Sequence, residues 1–92
     1  MTDVVAIAQA RPRDIVAVRG RIASVRVEPR DAAPAVTARV QDETGAIDAV
    51  FMGRREILGI EPGVVVDIEG RVCPHQPVAR VYNPSYVVRQ HA

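Results

Sequence analysis

Val36-Thr-Ala-Arg-Val-Gln-Asp-Glu-Thr-Gly-Ala-Ile-Asp-Ala-Val-Phe51 decides how this chain folds. Turned back on itself at Asp42–Gly45, the stretch pairs Val36 with Phe51, Ala38 with Ala49 and Val40 with Ile47 on one face. The other face pairs Thr37 with Val50, Arg39 with Asp48 and Gln41 with Ala46. The first face is apolar throughout and the second mostly polar. A side-chain period of two produces this contrast only in a half-buried antiparallel pair. Gly45 is expected to take the φ > 0 conformation that closes a short loop. The polar face is the place to look for function.

Before the hairpin, residues 2–9 read as a short helix capped by Thr2 or Asp3, with Val4, Ile7 and Ala8 on one face and Arg11-Pro12-Arg13 ending it. A long strand starts at Asp14. Val16, Val18 and Ile22 point one way, and Ala17, Arg19 and Arg21 the other. Val25 and Val27 then turn inward and Arg26 outward, so the alternation slips by one near Ala23-Ser24. That slip reads as a bulge and Gly20 as a bend. A long, bent first strand suits a small closed barrel, where it pairs on both sides.

After the hairpin, Gly53–Gly63 breaks the strand pattern and has room for one helical turn or a wound loop. Val64–Val72 is a fourth strand, with Val64, Val66 and Ile68 inward. Val78–Tyr82 is a fifth, stopped by Asn83-Pro84, and Ser85–Arg89 extends it. The expected class is therefore all-β. Five strands with a break between the third and fourth match the five-stranded Greek-key barrel of the OB-fold. An SH3-like barrel or a small sandwich has a comparable strand count. The expected core contains Val36, Val40, Ile47, Phe51, Val66 and Ile68.

The totals set limits. Ninety-two residues fit one domain over residues 1–92, with the barrel at roughly 14–88. Cys73 is the only cysteine, so no internal disulfide forms. The sequence shows no signal-peptide pattern and no long apolar run, so the expected location is cytoplasmic, with no membrane contact. Net charge is +1, which by itself does not mark a nucleic-acid binder. Every basic side chain is arginine, the residue that forks onto phosphate and stacks on bases. Aromatics are limited to Phe51, Tyr82 and Tyr86, few for a surface built on base stacking.

Several segments also carry a family resemblance: Val18-Arg-Gly-Arg-Ile22, Val40-Gln-Asp-Glu-Thr-Gly45, Gly53-Arg-Arg55, Gly59-Ile-Glu-Pro-Gly63, Glu69-Gly-Arg-Val72 and Tyr82-Asn-Pro-Ser-Tyr86. Together they resemble the small actinobacterial proteins described as OB-fold nucleic-acid-binding domains. More distantly, they are similar to the OB-fold wedge domain of the bacterial fork-reversal helicase. The resemblance spans Asp14 to Val88 and rests mostly on glycines and turns. It implies the fold and a nucleic-acid ligand. It implies no helicase activity, because the motor domains are absent and no aromatic corresponds to the wedge's stacking residue.

The candidate binding residues are Arg21, Arg26, Arg39, Val50, Met52, Arg54, Arg55, Arg80 and Tyr82. On an OB-fold the ligand face centres on the second and third strands, where arginines hold phosphates and apolar side chains touch bases. Each candidate also has a plainer reading. Arg39 faces Asp48 as a cross-strand ion pair, and Arg19 and Arg21 lie where Asp67 and Glu69 can meet them. Arg54-Arg55 is either a phosphate contact or a solvated helix start beside Glu56 and Glu61. Tyr82 projects outward with Arg80 if Ala79 and Val81 point inward; aromatics on terminal strands otherwise close a barrel. Val50 and Met52 form an apolar patch beside Arg39 that suits a base or a protein partner. Cys73 and His75 lie two apart, too few for a zinc site, which needs three or four ligands. The expected activity is weakly sequence-selective binding of single-stranded nucleic acid, DNA before RNA, with no cofactor and no catalysis. The alternative is a protein–protein adaptor or self-associating module using the same face.

Overall fold

The computed structural model describes residues 3–29 and 33–92. Its strands are β1 (Val4–Val5), β2 (Ile15–Pro29), β3 (Pro34–Gln41), β4 (Ala46–Met52), β5 (Val65–Cys73), β6 (Arg80–Tyr82) and β7 (Ser85–Gln90). The β3–β4 hairpin forms in the expected register, with Arg39 opposite Asp48 and Val36 opposite Phe51. Its turn differs from expectation. Gly45 does not have a positive φ; that conformation falls to Gly53, Gly59 and Gly63. The Asp42 carboxylate closes the turn instead. It accepts hydrogen bonds from the Thr44 N–H (2.7 Å), the Thr44 hydroxyl (2.6 Å) and the Gly45 N–H (3.0 Å). A carboxylate that gathers local donors builds a turn without special backbone angles.

β2 carries the closure. Its first half, Ile15–Arg21, pairs with β5, and from Arg21 onward it pairs with β3. The register shifts between Ile22 and Ser24, where the alternation of the sequence slips. β4 then pairs in parallel with β6, and β6 with β5, so β2, β3, β4, β6 and β5 close in a ring. This is the OB-fold order. β7 adds to β5 outside the ring.

The inward side chains fill the ring. Val36, Val40, Ile47, Phe51, Val66 and Ile68 are all buried, as expected, with Val18, Ile22, Val72 and Val81. Each such aliphatic side chain contributes about 1.5–3 kcal/mol through its burial. The Phe51 and Tyr86 rings meet edge to face, with centroids 5.7 Å apart. The segment after β4 takes the wound-loop form, and its Ile57 and Ile60 plug the core. Val25 and Val27 pair on the inward side with Ala38 and Val36, but β2 runs past the end of the core there. Val25 is only partly buried, and Val27 is exposed, contrary to expectation.

The expected helix over residues 2–9 is not what forms. Val4–Val5 instead pairs in parallel with Ala17 and Val18, followed by a single 3-10 turn, Ile7–Gln9. Thr2 lies outside the described residues, and the residue in the cap position is Ala6, which offers no side-chain acceptor. The acceptors come from the distant hairpin turn. Asp42 takes the Ile7 N–H at 2.8 Å and Thr44 takes the Ala8 N–H at 3.0 Å. Two β-branched valines and a tertiary cap outweigh weak helical periodicity.

Candidate functional site

The outer face of β2–β3–β4–β6 collects most of the candidate residues. One row across the strands runs Ser24, Arg39, Asp48, Arg80; the next runs Arg26, Thr37, Val50, Tyr82. Strand alternation points all eight away from the core. Val81 is buried and Ala79 packs against the core, so Arg80 and Tyr82 do project outward.

Asp48 sits at the centre of this face, and only 3% of its side chain is exposed. Arg39 grips it with two bonds, Nε to Oδ1 at 3.0 Å and Nη2 to Oδ2 at 3.3 Å. These bonds hold the Arg39 guanidinium above its ordinary pKa, so it stays charged. Arg26 Nη2 approaches the same carboxylate to 3.9 Å, an ion-pair distance rather than a hydrogen bond. Arg80 is the cross-strand neighbour of Asp48 on the opposite side. Its Nε is buried with no hydrogen-bond partner among the described residues. Two arginines thus approach one carboxylate and a third neighbours it in the sheet register, so the patch keeps an excess of positive charge. An orphaned guanidinium donor at its edge is unusual in a folded protein.

The apolar candidates divide. Val50 points outward but is only 2% exposed, between Thr37 and Tyr82 in the register, so it forms a floor rather than a contact point. Met52 and Tyr82 are 49% and 44% exposed and offer reachable apolar surface. Arg54 lies at the Met52 end of the face, beside Asn83. Arg55 lies instead along a separate groove lined by Val25, Val27 and Leu58. Neither has an ion-pair partner among the described residues. Arg21 is engaged elsewhere, its Nη1 donating to the Gly63 carbonyl at 2.6 Å. From the sequence, Asn83 reads only as a strand stop. Its side chain braces the face, with Oδ1 accepting the Met52 N–H at 2.8 Å. Among the described residues, no three His, Cys, Asp or Glu side chains cluster as metal ligands. Nor is any helix there long and apolar enough to cross a membrane.

The family described as OB-fold nucleic acid binding domain matches residues 16–88, from the first buried valine of β2 to Val88 within β7. The chain belongs to that family. No curated protein matches it. Within this OB-fold nucleic-acid-binding domain, the arginine-bearing face of β3 and β4 is the ligand surface expected of the fold.

A second charged cluster of the domain lies away from that face, on β2, β5 and β7. Arg19 binds Asp67 through Nε (2.6 Å) and Nη2 (3.0 Å), and Arg89 Nε adds a bond of 2.8 Å. The bond from Arg19 first, and that from Arg89 after it, hold the Asp67 carboxyl below its ordinary value of 3.8 despite partial burial. A carboxyl depressed in the folded state stabilises the fold above its unfolded value and loses that contribution as pH falls through the folded one. Asp67→Asn is therefore expected to reduce the loss of stability between pH 6 and about pH 3. The effect should stay below about 1 kcal/mol, since both arginines are half exposed. Urea unfolding at the two pH values checks this; equal losses in parent and variant contradict it.

Proposed function

We propose that this domain binds single-stranded nucleic acid, DNA in preference to RNA, with weak sequence preference. In this reading it is a binding domain and not an enzyme. The observation that carries it is the outer face on which Arg26 and Arg39 meet Asp48 and Arg80 lies next to it on the neighbouring strand. Phosphate oxygens accept from the free edges of Arg26 and Arg39, and Arg80 adds to the positive charge of the face. Bases lie against Met52 and Tyr82. A shallow face with exposed apolar side chains suits splayed bases better than a stacked duplex.

Titration of labelled single-stranded DNA, single-stranded RNA and duplex DNA of one sequence at two salt concentrations tests the reading. Single strands should bind more tightly than duplex, and DNA more tightly than RNA. Affinity should fall with salt as counterions are released. Arg26→Ala with Arg80→Ala should flatten the salt slope by roughly 0.7 for each phosphate no longer neutralised. Arg54→Ala should do the same, and Arg55→Ala, on the other groove, should not. Arg39→Ala is a poorer probe because it leaves the buried Asp48 short of its main partner. No detectable binding of any oligonucleotide at low salt would defeat the reading.

The exposure of Met52 (49%) and Leu58 (88%) near one edge favours a second reading, a protein–protein adaptor or self-association through the same face. Sedimentation over a tenfold range of protein concentration separates self-association from it.

A further inference from the structure

We propose that the open edge of β2 joins this chain to a second copy of itself, with Val27 on the twofold axis and Arg26 of each copy facing Glu28 of the other. The edge begins where β5 leaves it. The Ile22 N–H donates to the Val64 carbonyl, and the Ile22 carbonyl accepts from the Gly63 N–H, both at 2.8 Å. From Ser24 to Pro29, β2 has β3 on one side and, among the described residues, no strand on the other. The far side of the hairpin identifies the backbone groups on the open side. The Asp48 N–H donates to the Ala79 carbonyl at 3.0 Å, and the Val50 carbonyl accepts from the Asn83 N–H at 2.7 Å, so both residues turn away from β3. Residues opposite one another in an antiparallel pair turn toward each other or away together. Arg39 and Thr37, opposite Asp48 and Val50, therefore turn to β2 and meet Ser24 and Arg26. That leaves the N–H and C=O of Val25 and Val27, and the Pro29 carbonyl, on the open edge. None of these has a hydrogen-bond partner among the described residues.

An unpaired strand edge is a template for another strand, and this edge matches itself. A second copy running antiparallel about a twofold axis forms an isologous interface, in which every contact occurs twice. With Val27 opposite its twin, each Val27 N–H reaches the other's carbonyl, and each Val25 N–H reaches the Pro29 carbonyl of the copy. Pro29 only has to accept there, so its missing N–H costs nothing. Arg26 and Glu28 share the outer side of β2. In this register they fall opposite one another at non-hydrogen-bonded positions, where side chains come closest and opposite charges stabilise the pairing. Sliding the copy so that Val25 meets Val27 would set Arg26 against its twin, a like-charge pair. On the inner side, Val27 is 47% exposed, and Leu58, 88% exposed, lines the same groove of about 360 Å³. The twin's Val27 packs against this apolar surface. β7 offers another open edge, but its one charge, Arg89, already binds Asp67, so nothing there selects a register. The joined sheets carry the outer faces of both copies on one continuous surface, and the association does not depend on what those faces bind.

Sedimentation equilibrium of the whole chain tests this. The mass should rise from one chain toward two with concentration, and the small interface sets the midpoint between about 1 μM and 1 mM. Glu28→Arg sets arginine against Arg26 on both sides of the axis and should weaken association by about tenfold or more. Adding Arg26→Glu restores opposite charges across the axis and should bring association back. Val27→Pro removes an N–H that the single chain does not use, so it should abolish association and spare the fold. Dilution of the parent followed by ¹⁵N NMR needs no variant: the amide signals of Val25 and Val27 should shift, and those of β7 should stay. A single chain at about 1 mM overturns the proposal, even if an extended peptide of another protein takes the edge. So does a dimer whose dilution shifts miss Val25 and Val27. So does one that persists undiminished in Glu28→Arg or Val27→Pro, each shown to be folded by its thermal melt, or a folded double variant no tighter than Glu28→Arg. Each of these results leaves the nucleic-acid reading standing.

Discussion

Phe51→Ala is expected to lower the unfolding free energy by about 3–5 kcal/mol. Phe51 is the only phenylalanine, 6% exposed, and its ring meets the edge of Tyr86 at 78°. Truncation removes the buried ring and its edge-to-face packing, the latter alone worth about 0.5–1.5 kcal/mol. The space left lies between the end of β4 and the plug residues Ile57 and Ile60, all members of one core. Domains of this size hold only about 5–15 kcal/mol in all, so the variant should sit near the edge of folding at 37 °C. Denaturant unfolding measures the loss directly. A midpoint equal to that of the parent would remove Phe51 from the core and undo the assigned hairpin register.

Gly20→Ala should be comparably damaging for a different reason. A Cβ on Gly20 would collide with the Gln41 backbone carbonyl and lie 2.8 Å from Val40 Cγ1. The carbonyl belongs to β3 at the point where β2 exchanges β5 for β3 as its partner, so neither side can give way cheaply. The cost should reach the upper end of the about 1–3 kcal/mol usual for overpacking. Gly45→Ala is the control. Its φ is not positive, and a Cβ there finds only Ile7 Cγ2 at an ordinary 3.7 Å. Thermal melts should show Gly20→Ala far below Gly45→Ala; coincident melts would mean that the β2–β3 approach is not as close as described.

The hairpin register was legible in the sequence because its two faces differ in polarity at every pair, and a one-residue slip would bury Arg39. The bulge near Ser24 was legible for the same reason. The 3-10 turn was not, since its capping groups, Asp42 and Thr44, lie 35 and 36 residues away. The pairing of Arg39 with Asp48 was visible from the hairpin alone. The approach of Arg26 to the same carboxylate depends on the register across the bulge, and the placement of Arg80 depends on β6, a strand of three residues with no periodicity to read. Val50 looked like a contact residue because it alternates outward, but direction along a strand does not say what lies over a side chain. An Asn-Pro pair marks a strand break, and nothing in it announces which backbone N–H the Asn83 amide oxygen will accept.

The division of β2 between two partners also bears on how the chain reaches this state. Arg19 and Asp67, paired in the finished sheet, stand 48 residues apart in the chain. The β3–β4 hairpin needs only its own sixteen-odd residues and can form early, whereas the seam between β2 and β5 cannot close until almost the whole barrel has been made. The entropy of that large loop must be spent before its contacts return anything. During synthesis the first half of β2 therefore waits with one edge unpaired until Arg71 has left the ribosome. Arg19 and Arg21 on that waiting segment are charges of the kind that keep an open strand edge from pairing with another chain.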